Sequence, residues 1–571
     1  MRMMPIKISL IMICLLGSFF WLSPMFSSST FVGDSIQTTK ASNNAQMRNF
    51  THTIENGFDW SFPYHVTPKS NSGAFYMNTL GESEDIQCIG VTLFWSLLNP
   101  ADDVYDFTML DQIISLAEEH NVKIVLRLKC SVVDRYTGGS DADQYLPYIP
   151  QWVLDKHNPT IFYTLLKPPT FIQVAAPWNE GVQKELQKFI SVFGKENFLS
   201  HDRLAGLYVH GISSSAGEEF WLDRRYTQYA LEAGMTEEKL MKAFENRITW
   251  WAEAAGENVH KLAWVCFGNI QEQNYDPDRL NDFALKKGLG YRGGGIEYYN
   301  AWVHEYLGQT IDKEGHIHTD WNHPFRDGKR FFGEEAEVIF PDYSKETQTH
   351  CFESSIMRLA QLGMNYVWVS EPAVSLSPAM VRWWTRIAGK NQESSPEAVC
   401  WLREDYVNYS YRKTTTLRNF EHFLVQRDQK GFYTDPVEKT KRYVFYMDPP
   451  NIDYDYAARS TNVKRKDTGM LFYIDPVFRE NMGTQFYIKV MYLDSNKCKW
   501  VLSHGTQWKQ AVSATIKGTA DNQWKTATFN ITQFVGEQEP FASDFSLQVL
   551  NNEDLTVKFV RVIKSPPNSS D

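Results

Sequence analysis

The feature that most constrains this chain is an alternation running from Gly57 to about Lys390, in which short apolar, β-branched segments take turns with amphipathic helical stretches. Parallel strands need long crossovers, and a helix is the usual one, so the pattern predicts an α/β fold built on a parallel sheet. Eight strand candidates can be counted: GFDWSFPY, IQCIGVTLFW, VKIVLRLKC, LAGLYVHGI, KLAWVCFG, GGGIEYYN, KRFFGEE and YVWVSE. That number points to a closed (β/α)8 TIM barrel. An open, doubly wound sheet is the competing arrangement, but no glycine-rich phosphate or dinucleotide loop follows the early strands.

The helices between the strands can be read from their apolar stripes. Thr108 and Asp111 form a capping pair ahead of a stripe of Leu110, Ile114 and Ala117. Asn179 opens a helix with Val182, Leu186, Phe189 and Phe193 on one face, and Thr236 opens another with Leu240, Phe244, Ile248 and Trp251. Beyond Pro396 this periodicity stops. Segments such as MLFYIDP, QFYIKVMYLD, KWVLSH, FSLQVLN and LTVKFVRVIK follow one another across polar turns, which predicts an all-β sandwich of jelly-roll type. A chain of 571 residues exceeds what one core can organise, so two folded domains are expected: the barrel over 57–395 and the sandwich over 396–565.

Ahead of them, residues 1–30 combine Arg2 and Lys7 with an apolar run from Ile8 to about Leu22, the layout of a secretory signal peptide. Residues 31–56, rich in Ser, Thr and Asn, read as a flexible tether. The expectation is a secreted, periplasmic or cell-surface protein whose one membrane contact would be an uncleaved N-terminal anchor. A formal net charge of −11 argues against nucleic acid as a partner. The cysteines after the signal show no metal or disulfide spacing and read as buried thiols. His316, His318, Asp320 and His323 have ligand chemistry, but they crowd a polar stretch that reads as a loop. Neither a metal nor another cofactor is expected.

In a barrel of this kind, reacting groups stand where the strands end at the carboxyl face. Two strands end in doubled glutamates: Glu218 and Glu219 after the fourth, and Glu334 and Glu335 closing the seventh. Cleavage of a glycosidic bond needs one carboxylic acid to protonate the leaving oxygen and one carboxylate to attack or to activate water. Two glutamates from different strands over one mouth meet that need, whereas a lone glutamate on a loop is ordinarily a solvated charge. The first of each pair follows a glycine, where the chain can bend toward the mouth, so Glu218 and Glu334 are preferred, with Glu219 and Glu335 as alternates. Trp95, Arg127, His210, Tyr298, Trp302 and Glu371 lie at or near other strand ends and are candidate substrate contacts, with Asn300 and Trp368 beside them. The aromatic share of 14% suits a carbohydrate partner, because sugar C–H faces stack on flat rings.

The order of elements, and the stretch GVTLFWSLLNPADDVYDFTMLDQIISLAEEHNVKIVLRLK, resemble the clan A glycoside hydrolases, in particular the family 42 β-galactosidase kind. The resemblance spans roughly residues 57–390. It implies a retaining glycosidase acting on a β-linked substrate, in which Glu218 matches the general acid/base and Glu334 the nucleophile. The clan's fourth-strand signature is Asn-Glu, and here Gly217 precedes Glu218. That departure keeps a second function class in view: a carbohydrate-binding surface protein on a degenerate barrel.

Overall fold

The computed structural model describes residues 50–64, 73–77, 88–136, 147–167, 170–212, 227–265, 277–293, 296, 303, 305–336, 343–409, 412–441, 454–504, 511–532 and 543–565. Eight parallel strands close into a barrel in chain order: Gly73–Met77, Cys88–Phe94, Lys123–Lys129, Leu204–Val209, Leu262–Val265, Gly290–Arg292, Phe332–Ala336 and Tyr366–Val369. The eighth strand pairs with the first, Tyr366 opposite Gly73, and completes the ring. Six of the eight strands fall where the sequence puts them, and two do not. The first is Gly73–Met77 rather than GFDWSFPY, and the sixth is the short Gly290–Arg292 just ahead of GGGIEYYN.

Side chains alternate between helix layer and lumen along each strand. On the seventh strand Phe332 faces outward and stacks on Phe325 at 5.4 Å, whereas Phe331 faces inward and stacks on Tyr366 at 4.3 Å. The floor of the lumen is closed this way. A side chain at Gly206 would collide with the Phe331 ring, so the fourth strand keeps a glycine where the ring crosses.

The helices match their stripes. Asn179 caps Glu180–Lys195 by accepting from the Val182 N–H at 3.0 Å, and Thr236 caps Glu237–Ala255 through the Lys239 N–H at 3.2 Å. The capping pair expected at Thr108 is absent: Thr108–Glu119 is preceded by Phe107, and it is Asp106 that accepts from the Thr108 N–H, at 3.1 Å. After the third strand the chain departs to form a three-stranded antiparallel sheet, Val132–Tyr136, Ile161–Lys167 and Thr170–Ala175, that the strand–helix count did not anticipate.

The β domain stacks an eight-stranded sheet on a six-stranded one, with Phe472 stacked on Phe545 at 4.9 Å and Trp500 edge-on to Phe529 in the core between them. One strand of the larger sheet comes from the other side of the barrel in sequence. Phe50–Asn56, the end of the expected tether, pairs antiparallel with Trp524–Ile531 from Phe50 opposite Ile531 to Asn56 opposite Lys525. The chain then runs straight into the seam between the domains. Trp60 stacks on Phe58 at 4.2 Å and stands 4.8 Å from Trp383 of the last barrel helix, Pro378–Ile387, and 4.9 Å from Phe559 of the β domain. GFDWSFPY alternates like a strand because its rings are apolar at every second position. They wedge two domains together instead.

Polar groups bind the same seam. Glu397, fully buried, accepts from Trp383 Nε1 and from Arg561 Nε, the latter at 2.7 Å. His350 on the helix Lys345–Leu362 pairs with Asp455 at 2.8 Å, and Arg403 bonds the other Asp455 oxygen. Cys88, Cys130, Cys351, Cys400 and Cys498 are free, buried thiols, in keeping with their spacing. Among the described residues no helix is long and apolar enough to cross a membrane.

Candidate active site

Strand parity decides which groups enter the mouth of the barrel. On the seventh strand the inward set is Phe331, Gly333 and Glu335, while Phe332, Glu334 and Ala336 point to the helix layer. Glu335 sits opposite Trp368 on the eighth strand and ion-pairs with Arg292, the last residue of the sixth. The Arg292 guanidinium is buried and lies over the Tyr208 ring at 5.2 Å and over the Trp368 ring at 5.7 Å. Arg127, from the third strand, lies over the same Trp368 ring at 4.6 Å. Five strands thus contribute to one cluster in the lumen: Arg127, Tyr208, Arg292, Glu335 and Trp368. Cation–π contact with the indole holds two guanidinia near one carboxylate, and desolvation strengthens such contacts.

Glu334 occupies a different environment. Its carboxyl fills the place where a side chain on Gly293 would stand, so the sixth strand must continue into a glycine there. Oε2 accepts from the Glu335 N–H at 3.4 Å, and Oε1 has no hydrogen-bond partner among the described residues. Burial pushes this carboxyl up to about 8, against the pull of Arg292, so it is protonated at neutral pH.

His210 extends the inward set of the fourth strand, two residues beyond Tyr208. It is buried, and neither ring nitrogen finds a partner among the described residues. Burial, reinforced by the positive charge of Arg247, holds the imidazole well below its usual range and therefore neutral. Arg247 reaches this strand end from the helix Glu237–Ala255, donating to Ser131 Oγ at 3.0 Å.

The remaining candidates separate cleanly. Trp95 is fully buried at the start of the short helix Trp95–Leu98, 5.8 Å from Phe189 in the helix layer, with its Nε1 donating to Asn99. A ring with no exposed surface on the outer side of the barrel cannot stack on a sugar, so the expectation for Trp95 is corrected to core packing. Glu371 is exposed at the start of Glu371–Val374, directly after the eighth strand. Glu218, Glu219, Tyr298, Asn300 and Trp302 lie outside the described residues. The histidine-rich stretch is a small antiparallel hairpin, Gln309–Ile311 with Ile317–Thr319, rather than a plain loop. Its turn is tied by Asp312, which bonds His318 Nε2 at 2.9 Å and accepts from the His316 N–H at 2.9 Å. His316 is buried against Glu421 of the β domain. Among the described residues no group of three or more His, Cys, Asp or Glu side chains is placed to hold a metal ion.

Arg292 and Tyr208 were missed in the sequence. Tyr208 shares its parity with His210 in LAGLYVHGI and was open to the same argument, whereas Arg292 was hidden because the strand was read three residues too late.

Residues 79–163, the second and third strands and part of the inserted sheet, match the model of a glycoside hydrolase family described as β-galactosidase, family 42. The match is to a glycosidase family. Comparison with curated proteins gives no match. Similar solved structures include the β-amylase catalytic domain of Paenibacillus polymyxa, at 13% identity over 55% of this chain and 95% of that one, with a TM-score of 0.34. A family 42 β-galactosidase of G. stearothermophilus aligns at 11% identity over 54% and 53% of the two chains, TM-score 0.33. An exo-β-1,4-mannosidase of an Opitutaceae bacterium aligns at 10% identity over 52% and 51%, TM-score 0.32. This chain spans about half the length of the last two. The barrel itself is read from its own strand order.

Proposed function

We propose that this protein is a glycoside hydrolase that cleaves a β-linked substrate by double displacement, with Glu335 as nucleophile. The observation that carries the reading is the pairing of Glu335 with Arg292 in the lumen, at the carboxyl end of the seventh strand. A nucleophile must be ionised and must face the mouth. Glu335 faces the mouth beside the Arg292 guanidinium, while burial raises the Glu334 carboxyl and its parity turns it away from the lumen. The proposal therefore moves from Glu334, which the glycine ahead of it favoured in the sequence, to its neighbour. One of Glu218 and Glu219, after the fourth strand, takes the part of acid/base.

In this scheme Glu335 attacks the anomeric carbon as the acid/base protonates the departing oxygen, and the same group then deprotonates the water that releases the sugar. Arg292 keeps the attacking carboxylate oriented. The neutral imidazole of His210 is positioned to bond sugar hydroxyls rather than to carry charge. Export directed by the N-terminal signal, and hence action outside the cytoplasm on a poly- or oligosaccharide, belongs to the same proposal.

The test is turnover on a panel of β-linked galactosides, mannosides and glucans, with the product anomer read by NMR. Glu335→Gln should lower kcat on the order of 10³-fold or more, about 4 kcal/mol of barrier, with KM little changed. Glu334→Gln should stay within about tenfold of wild type. The opposite ranking, or inverted product, overturns the assignment. Saccharide binding without any turnover across the panel would favour the carbohydrate-binding alternative.

A further inference from the structure

A cavity of about 460 Å³ opens where the hairpin of the barrel domain meets the β domain, away from the barrel mouth. The hairpin supplies Thr319 and, just after it, Trp321, while the β domain supplies Glu421, Phe423, Val425 and Tyr473. Trp321 packs on Phe423 with ring centroids 4.4 Å apart. The wall therefore offers apolar surface from Trp321, Phe423 and Val425 and polar groups from both domains.

Glu421 is the polar group that calls for an occupant. One of its oxygens, Oε1, is crowded with donors: Arg427 Nη1 at 2.7 Å, the Gln426 N–H at 3.2 Å and Asn419 Nδ2 at 3.2 Å. The other, Oε2, is buried and has no hydrogen-bond partner among the described residues. Burial raises this carboxyl, but His316 and Arg427 outweigh it and hold the group down to about 2, so the orphan oxygen belongs to a carboxylate. A buried ionised oxygen without a donor is costly, and a donor brought by a ligand removes that cost.

The charges around the cavity narrow the class of donor. Arg427 already neutralises Glu421, and Arg479 is paired with Asp544 at 2.7 Å. Hydroxyl groups satisfy an already neutralised carboxylate, whereas a cation would meet two guanidinia. A hydroxylated ring with an apolar face also suits the indole of Trp321 and the phenol of Tyr473. The volume falls within the range of small-ligand sites, enough for one or two sugar rings.

We propose that this seam cavity is a non-catalytic saccharide-binding site, in which Glu421 Oε2 accepts from sugar hydroxyls and Trp321 carries the ring face. It depends on the glycosidase reading only for the choice of sugars to test. Its effect would be to hold a second part of a substrate against both domains at once, because its walls belong to both.

The experiment is calorimetric titration of the full chain carrying Glu335→Gln with methyl β-galactoside, lactose and mannobiose, repeated with Val425→Phe or Glu421→Gln added. Val425→Phe fills the cavity and removes no hydrogen bond, so it serves where Glu421→Gln disturbs folding. Binding that weakens at least tenfold with Val425→Phe, in a chain with unchanged circular dichroism, is the expected result. Equal affinity with and without Val425→Phe, or no binding of any of the three sugars at tens of millimolar, overturns the proposal. Val425→Phe in the otherwise wild-type chain should leave turnover of a small chromogenic glycoside unchanged. Absence of turnover in wild type counts against the hydrolase alone, so the two failures are distinguishable.

Discussion

Two adjacent glutamates with opposite fates show how far a single residue of register matters. Glu335 meets a guanidinium in the lumen, and Glu334, one residue earlier, meets the helix layer. Alternation along a strand has a period of two, so nothing in the string Gly-Glu-Glu can say which member faces inward. The sequence-level preference rested on the glycine before the pair, and that glycine serves the floor of the barrel: a side chain there would crowd Tyr366 and Phe331. The pH dependence of stability should report the difference. The carboxyl of Glu334 is raised to about 8 in the fold from an ordinary value of 4.5. Between those values the folded state holds a proton that the unfolded state has lost, so its contribution to stability is fully present below about 4.5 and falls as pH rises toward 8. Glu334→Gln should flatten that part of the curve and raise Tm at pH 8 relative to pH 5, measured by scanning calorimetry. An unchanged slope would mean that the carboxyl is ionised in the fold.

At the scale of elements, the strands and stripes that could be read were those whose pattern had a single physical cause. The helices opened by Asn179 and Thr236 combine a capping side chain with an apolar stripe, and both begin where expected. The sixth strand was harder, because only three residues, Gly290–Arg292, pair with their neighbours. GFDWSFPY misled for another reason: its rings bury themselves between domains, a long-range contact that leaves no local mark. The same holds for His350, Asp455 and Arg403, which meet across the seam from distant parts of the chain. Asp455→Asn would replace the carboxylate shared by His350 and Arg403 with a neutral amide, leaving Arg403 with Asp405, at 3.3 Å, and His350 without its charged partner. Breaking a buried pair from one side costs about 3–5 kcal/mol, so urea unfolding should show a loss of that order. A loss below about 1 kcal/mol would show the pair to be solvated.

For the whole molecule, barrel and β domain share one apolar cluster as well as a border. Trp60, Trp383, Trp401 and Phe559 belong to a single contiguous core that also holds the helix layer of the barrel. Ending the chain after residue 395 would uncover the Trp383 ring and remove Glu397 and Arg561, leaving Trp383 Nε1 without its acceptor. The expected outcome is an insoluble or molten barrel, seen as loss of a cooperative thermal transition. A soluble, cooperatively folding fragment 57–395 would make the β domain a separable appendage. Removing residues 50–56 is the milder test. It strips one edge strand from Trp524–Ile531, and Tm should fall while the barrel signal persists.

That edge strand also sets a schedule. Thr526 donates to the carbonyl of Gly57 across a sequence separation of 469 residues. At synthesis rates of about 5–20 residues per second, the partner strand leaves the ribosome roughly half a minute or more after Phe50–Asn56 does. For all of that interval the strand lacks its partner, and its backbone groups are bonded to water alone. An exposed edge of this kind invites pairing with a second nascent chain. A chaperone that shields the first sixty residues would therefore raise the yield of native protein more than one that acts after release.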